Sequence, residues 1–273
     1  MVGIAVQVLV AAAKRRRIER RPALLLAALA TGALVACRVP GFLLPEGELL
    51  RDVYLRGSSA VPTVALTFDD GPNGRCTEAV LDALAEQRVQ ATFFVLGANL
   101  AAGHNDALLA RMVREGHTIG IHGHTHRVRP LFHAHLIAGE IHAALEAVDR
   151  SLRRAGVPDP PRVTFFRPPF GLVTGITARA AAAAGLALVE WTVSVGDWQA
   201  GRRADEVTAA ILARVRPGDV IVLHDGDETH QRSEERCVDR GVAAETVGLL
   251  VPALAARGLA VVPLGELLGL VAR

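Results

Sequence analysis

Two adjacent carboxylates close an apolar run in this chain of 273 residues, within Thr67-Phe68-Asp69-Asp70-Gly71-Pro72. Neighbouring side chains on an extended segment point to opposite faces, so the two acids can serve different partners. One can bind a cation while the other takes a proton from water. Taken alone, an Asp-Asp-Gly sequence is more often a turn in which Asp bonds nearby backbone. Further on, Ile121-His122-Gly123-His124-Thr125-His126 sets His122 and His126 four positions apart. From a helical turn or a tight loop, that spacing aims both imidazoles at one borderline cation. Two histidines and an Asp supply three ligands and leave a position for water, the pattern of a catalytic metal site. His124 leaves the pairings His122/His124 and His124/His126 open. His117, His133, His135 and His142 lie nearby, so a metal-scavenging His tract is the competing reading.

Three more polar clusters end apolar runs. Phe166-Arg167-Pro168-Pro169-Phe170-Gly171 places an arginine before a rigid double proline. Arg167 can pair with a carboxylate and keep it ionised, or lie on the surface before a stiff loop. Trp191-Thr192-Val193-Ser194-Val195-Gly196-Asp197-Trp198 brings an acid between indoles, which wall sugar pockets but more often pack in cores. Val220-Ile221-Val222-Leu223-His224-Asp225 ends four apolar residues on a histidine suited to proton transfer near neutral pH.

The elements that must position these clusters alternate. Apolar, β-branched runs occur at Val61–Phe68, Val89–Leu96, His117–Ile121, Val163–Phe166, Leu186–Trp191, Val220–Leu223 and Leu259–Val262. Helical stretches rich in Ala, Leu, Glu and Arg lie between them, near 77–88, 105–115, 134–155, 174–184, 203–214 and 241–257. Strands alternating with helices imply parallel pairing, and functional sites of such sheets form at the carboxyl ends of the strands. Five polar clusters fall at or just after strand ends, which outweighs the bland reading of each one. Periodicity alone leaves a barrel and a doubly wound sheet both open.

Net charge is +2 and aromatic residues are 4% of the chain, so neither bulk charge nor a stacking surface points to nucleic acid. The basic run at 14–22 precedes an apolar stretch from Pro22 to Ala36, shorter than a spanning helix needs. It has the length of a signal-peptide core, and Leu34-Val35-Ala36-Cys37 has the form of a bacterial lipobox. A cleaved signal peptide, a lipidated Cys37 and an uncleaved anchor are the three readings of residues 1–37. All place the protein in the cell envelope, at a membrane or outside the cell. Residues 38–60 read as a linker with a short extended lead-in, and 61–273 as one catalytic domain.

Together the five segments resemble the polysaccharide deacetylase family, carbohydrate esterase family 4, also called the NodB homology domain. The resemblance runs from about Val61 to Leu268, with the family's five motifs in order. It implies an α/β fold, a distorted (β/α) barrel of about seven parallel strands. It implies one divalent ion, zinc, held by Asp70, His122 and His126. Asp69 is then the general base, oriented by Arg167, and His224 the general acid, tuned by Asp197. The Phe170 N–H is implied to stabilise the oxyanion, and Trp198 and Leu223 to line the acetyl pocket. The implied activity is hydrolysis of N-acetyl groups on N-acetylglucosamine units of chitin oligomers or peptidoglycan. Two departures stand out: Ser194 replaces a common Asp, and Phe170 a common Tyr. The alternatives are a deformylase or deacetylase of a lipid-linked amino sugar, a non-catalytic carbohydrate-binding surface protein, and a His-rich metal store. An exported location also permits a Cys76–Cys237 disulfide beside the mouth of the site.

Overall fold

The computed structural model describes residues 53–226 and 241–270. The targeting segment expected over 1–37 and the cysteine expected to pair with Cys76, Cys237, lie outside them. Cys76 itself is disulfide-bonded. No helix of the described residues is long and apolar enough to cross a membrane.

Eight strands are described: β1 (Val53–Tyr54), β2 (Thr63–Asp69), β3 (Thr92–Val95), β4 (Thr118–Ile121), β5 (Phe165–Phe166), β6 (Ala187–Val189), β7 (Val220–His224) and β8 (Ala260–Val261). The helices between them are α1 (Gly74–Gln87), α2 (Asp106–Arg114), α3 (Ala134–Arg154), α4 (Gly175–Ala183), α5 (Ala204–Leu212), α6 (Gly241–Ala256) and the short α7 (Leu264–Leu267). Strand order is β1-β6-β5-β4-β3-β2-β7, with β8 added beside the start of β2. Every ladder is parallel, as crossover helices require.

The sheet curls until its two sides meet. Just past β6, Val193 bridges Ile221 of β7, with Val193 N–H donating to Val220 O at 3.1 Å and Val222 N–H to Val193 O at 3.0 Å. This is the distorted (β/α) barrel expected from the resemblance, and it resolves the choice that periodicity left open. β1 is an addition, since it lies in the stretch read as linker and is too short to give a periodic signal.

Alternation along the strands divides the core in two. Leu66, Phe68, Phe93, Ile121, Ile221 and Leu223 face outward, where Leu81 and Leu84 of α1, Val148 of α3 and Leu250 of α6 cover them. Ala65, Phe94, Phe165, Val189 and Val220 face inward and meet Leu264 and Leu267 of α7. The barrel is therefore packed, and α7 fills the end where the strands begin. Gly120 is the small residue that permits this, because a β-carbon there would lie 2.7 Å from the Phe94 ring. Truncating Leu264 should open a cavity and destabilise the chain by about 2–5 kcal/mol in urea unfolding. A loss below about 1 kcal/mol would mean that α7 does not fill the barrel.

Candidate active site

The inward face ends, at the carboxyl edge of the sheet, in Asp69, His122, Arg167, Trp191 and His224. Two-residue periodicity fixes this, since these residues share faces with Ala65, Gly120, Phe165, Val189 and Val220.

Among the described residues Arg167 is the largest fully buried side chain, with no exposed surface. Its Nη1 donates to Asp69 Oδ1 at 2.6 Å and to Thr67 Oγ1 at 2.9 Å. Nε donates to Val189 O and Nη2 to Glu190 O, both at 3.2 Å. The guanidinium lies 4.0 Å from the centroid of the Phe94 ring and 5.4 Å from that of Trp191. Burial works against ionisation of Asp69, but the Arg167 charge, helped by His224, holds its carboxyl below the usual range. A base kept ionised this way stays ready to accept a proton across the neutral range.

Asp70 leaves the strand in the left-handed region, with φ 75°. Asn99 Nδ2 donates to its carbonyl at 2.8 Å, and Asn105 Nδ2 to Pro72 O at 3.0 Å, pinning the turn. Asp70 Oδ1 then lies 3.6 Å from His122 Nε2 and 3.3 Å from His126 Nε2. Among the described residues this is the one group of three whose ligand atoms converge, all within 4.8 Å of one another. Donors held about 2.0–2.1 Å from one tetrahedral ion lie about 3.3 Å apart, so the spacing suits a shared cation. His122 Nδ1 bonds Arg167 O at 2.8 Å, which requires the proton on Nδ1 and turns the Nε2 lone pair toward Asp70. Burial pushes this imidazole down to about 3, so it is neutral, as a ligand must be. The residues present therefore fit a divalent ion.

His124 is no part of this group. A β-carbon on Gly97 would fall 2.5 Å from its Nδ1, so its ring packs against that neighbouring loop. His133, His135 and His142 are exposed.

Across the mouth, Asp197 grips His224 twice: Oδ2 accepts from the His224 N–H at 2.8 Å, and Oδ1 lies 3.0 Å from Nδ1. Burial alone would lower this ring, but the charge and hydrogen bond of Asp197 outweigh it. Asp70 and Asp69 add to the effect, and His224 is pushed up to about 9. Trp198 is 43% exposed and packs edge-on against His224 at 4.8 Å between centroids. The Phe170 ring lies 4.3 Å from His126, and Phe170 itself turns left-handed at φ 62°.

Leu223 does not join them. It is fully buried in the outer core. It is adjacent to His224, and adjacent strand residues face opposite ways. Val222, 1% exposed, is the apolar residue on the His224 face. Sequence reasoning also passed over Thr67, which period two places on the Asp69 face. It passed over Glu190, an acid closing the β6 run. Burial pushes Glu190 up to about 8, with Asp69 raising it further and Arg167 opposing. Asp225, behind the Asp69–Gly71 turn, is likewise pushed up by burial to about 7 and accepts from Thr77 Oγ1 at 2.5 Å.

With this geometry in place, comparison with known proteins decides the family. The polysaccharide deacetylase family model matches residues 56–189. A chitooligosaccharide deacetylase of Bradyrhizobium sp. (strain ANU 289) is 39% identical over 217 residues, 77% of this chain and 92% of the relative. The chain belongs to the polysaccharide deacetylase family. It is thus a hydrolase of carbon–nitrogen bonds other than peptide bonds. A peptidoglycan-N-acetylglucosamine deacetylase of Listeria monocytogenes serotype 1/2a (strain 10403S) is 34% identical over 185 residues, 64% of this chain and 37% of that protein. The crystal structure of the Bc1960 peptidoglycan N-acetylglucosamine deacetylase superposes with a TM-score of 0.70 at 26% identity, covering 83% of this chain and 97% of that one.

The His224–Asp197 contact can be read directly. In NMR titration of the metal-free protein, His224 should titrate well above an ordinary histidine, near 9. Asp197→Asn should move it down, because the largest raising influence is gone. An unshifted His224 in the Asn variant would refute the assignment.

Proposed function

We propose that the enzyme hydrolyses the N-acetyl group of N-acetylglucosamine units in an oligomer or polymer, chitooligosaccharide or peptidoglycan, releasing acetate and leaving a free amine. The observation that carries this reading is the arrangement around one mouth: an ionised buried acid, three converging ligand atoms, and a histidine held by a second acid. The relatives' names, chitooligosaccharide and peptidoglycan-N-acetylglucosamine deacetylase, supply the substrate class.

Asp70, His122 and His126 would hold a divalent ion, zinc in this proposal, and the ion would supply Lewis acidity to the amide carbonyl and to water. Asp69 takes one proton from the attacking water as its oxygen bonds the carbonyl carbon. Arg167 keeps Asp69 ionised until that moment and stops it rotating away. The negative charge gathering on the carbonyl oxygen is met by the Phe170 N–H. An amine leaves poorly as an anion, so His224 gives its Nε2 proton to the nitrogen as the C–N bond breaks. Asp197 holds Nδ1 and favours the charged ring that can make this donation. The products are acetic acid and the free amine. Asp69 then loses its proton to solvent and His224 regains one. Trp198 and Phe170 offer the apolar faces on which a sugar ring rests.

The activity belongs outside the cytoplasm in this proposal. The basic run and apolar core over 14–36 favour export. The disulfide at Cys76 suits an oxidising compartment.

Acetate release from chitin oligomers and peptidoglycan, with and without chelator, tests the reading. The chelated enzyme should be inactive and recover with added zinc. Asp69→Asn should lower turnover by about 10²–10⁴-fold. Equal rates for parent and Asn variant would remove Asp69 from its role.

A further inference from the structure

The loop from His122 to His126 carries two of the three ligand residues, and its backbone is held in an uncommon shape. Gly123 has φ 81° and His126 φ 54°. A histidine in the left-handed region persists where its surroundings over-determine it. Two sets of bonds do so here. On the carbonyl side, Gly97 N–H donates to Gly123 O at 3.1 Å and Ala98 N–H to His124 O at 3.0 Å. On the amide side, the N–H groups of His124 and Thr125 donate to one oxygen, Glu140 Oε2, at 2.8 and 2.7 Å. Thr125 Oγ1 donates to the other, Glu140 Oε1, at 2.7 Å.

Successive backbone N–H groups turned to one point form an anion-binding concavity. In this protein the anion is a carboxylate of the chain itself, sent from the second turn of α3. Glu140 has both oxygens bonded to the residues between the two ligands. No motif marks it, since it lies on a helix beyond the loop and is only half-buried.

We propose that Glu140 is a positioning residue for the metal site: its carboxylate fixes the His124–Thr125 backbone so that His126 presents Nε2 to Asp70, and thereby sets the affinity for the divalent ion. The inference rests on the reading of Asp70, His122 and His126 as ligands. Reach decides whether these bonds form at all, and charge strengthens the ones that do. Asp would keep the charge but fall a methylene short of the loop. Gln would keep the length and one acceptor oxygen.

The test is zinc affinity, measured on the metal-free chain by competition with a chromophoric chelator. Glu140→Asp should raise the Kd by about 10–100-fold, the range for residues that orient metal ligands. Glu140→Gln should raise the Kd less than Asp does, by no more than about tenfold, the size of a charged bond traded for a neutral one. At saturating zinc the kcat of the Asp variant should return toward that of the parent, because the groups that move protons are untouched. A lowered melting temperature with an unchanged Kd in the Asp variant would make Glu140 a helix-docking contact and overturn the proposal. A Gln variant weaker than the Asp variant would overturn it too, since reach to the loop would then not carry the effect. If Glu140→Asp does not fold, Thr125→Val removes one bond alone and should raise the Kd several-fold, and an unchanged value refutes the idea. A parent chain that binds no zinc would defeat the ligand reading itself, a failure distinct from equal binding by parent and variants.

Discussion

A guanidinium sealed inside the barrel is the constraint on which the rest depends. Taking Arg167 out of water carries a desolvation penalty of several kcal/mol, offset only if its donors are met. They are met by an acid and a hydroxyl on β2, two carbonyls at the end of β6, and aromatic faces on β3 and beyond β6. Its backbone carbonyl meanwhile holds Nδ1 of His122. One residue therefore fixes the charge of Asp69 through its side chain and the tautomer of His122 through its main chain. Loss of either member of the Arg167–Asp69 pair would leave an unmatched buried charge, at a penalty of about 3–5 kcal/mol. Asp69 is thus a structural residue, whatever proton it handles.

Backbone strain gathers at the same place. Four non-glycine residues among those described have positive φ: Asp70, Arg88, His126 and Phe170. Arg88 follows the end of α1, where a left-handed residue is a common helix terminator. Of the other three, Asp70 and His126 belong to the cluster of converging atoms and Phe170 packs against it. Asn99 and Asn105 pin the turn at Asp70, and Glu140 holds the loop that leads to His126.

The strand ends were legible because chemistry and periodicity coincide there. An apolar run that stops at Asp69, at His122 or at His224 announces both the strand and its functional end. The barrel was not legible from periodicity, since closure among the described residues depends on isolated bridges, Val193 to Ile221 and Arg56 to Asp219, which are too short to mark a strand. Leu223 was implied by the resemblance, and periodicity could not correct it, because Val220–Leu223 is apolar throughout and a run without alternation does not say which residues face inward. Register against β2, where Asp69 pairs with His224, supplies that answer. Glu140 and Asn99 stayed hidden for another reason. Their partners are backbone groups far along the chain, and backbone leaves no trace in residue type. The His-rich neighbourhood misled in the opposite sense, offering more imidazoles than converge on the site.

The plug formed by α7 has a consequence for traffic. Leu264 and Leu267 fill the interior where the strands begin, so the barrel is a blind vessel with one mouth. Among the described residues nothing opens a second way through it. Under the proposed function, sugar, water and the released acid would share the rim on which Trp198 stands, so the acid would compete with the sugar for its way out.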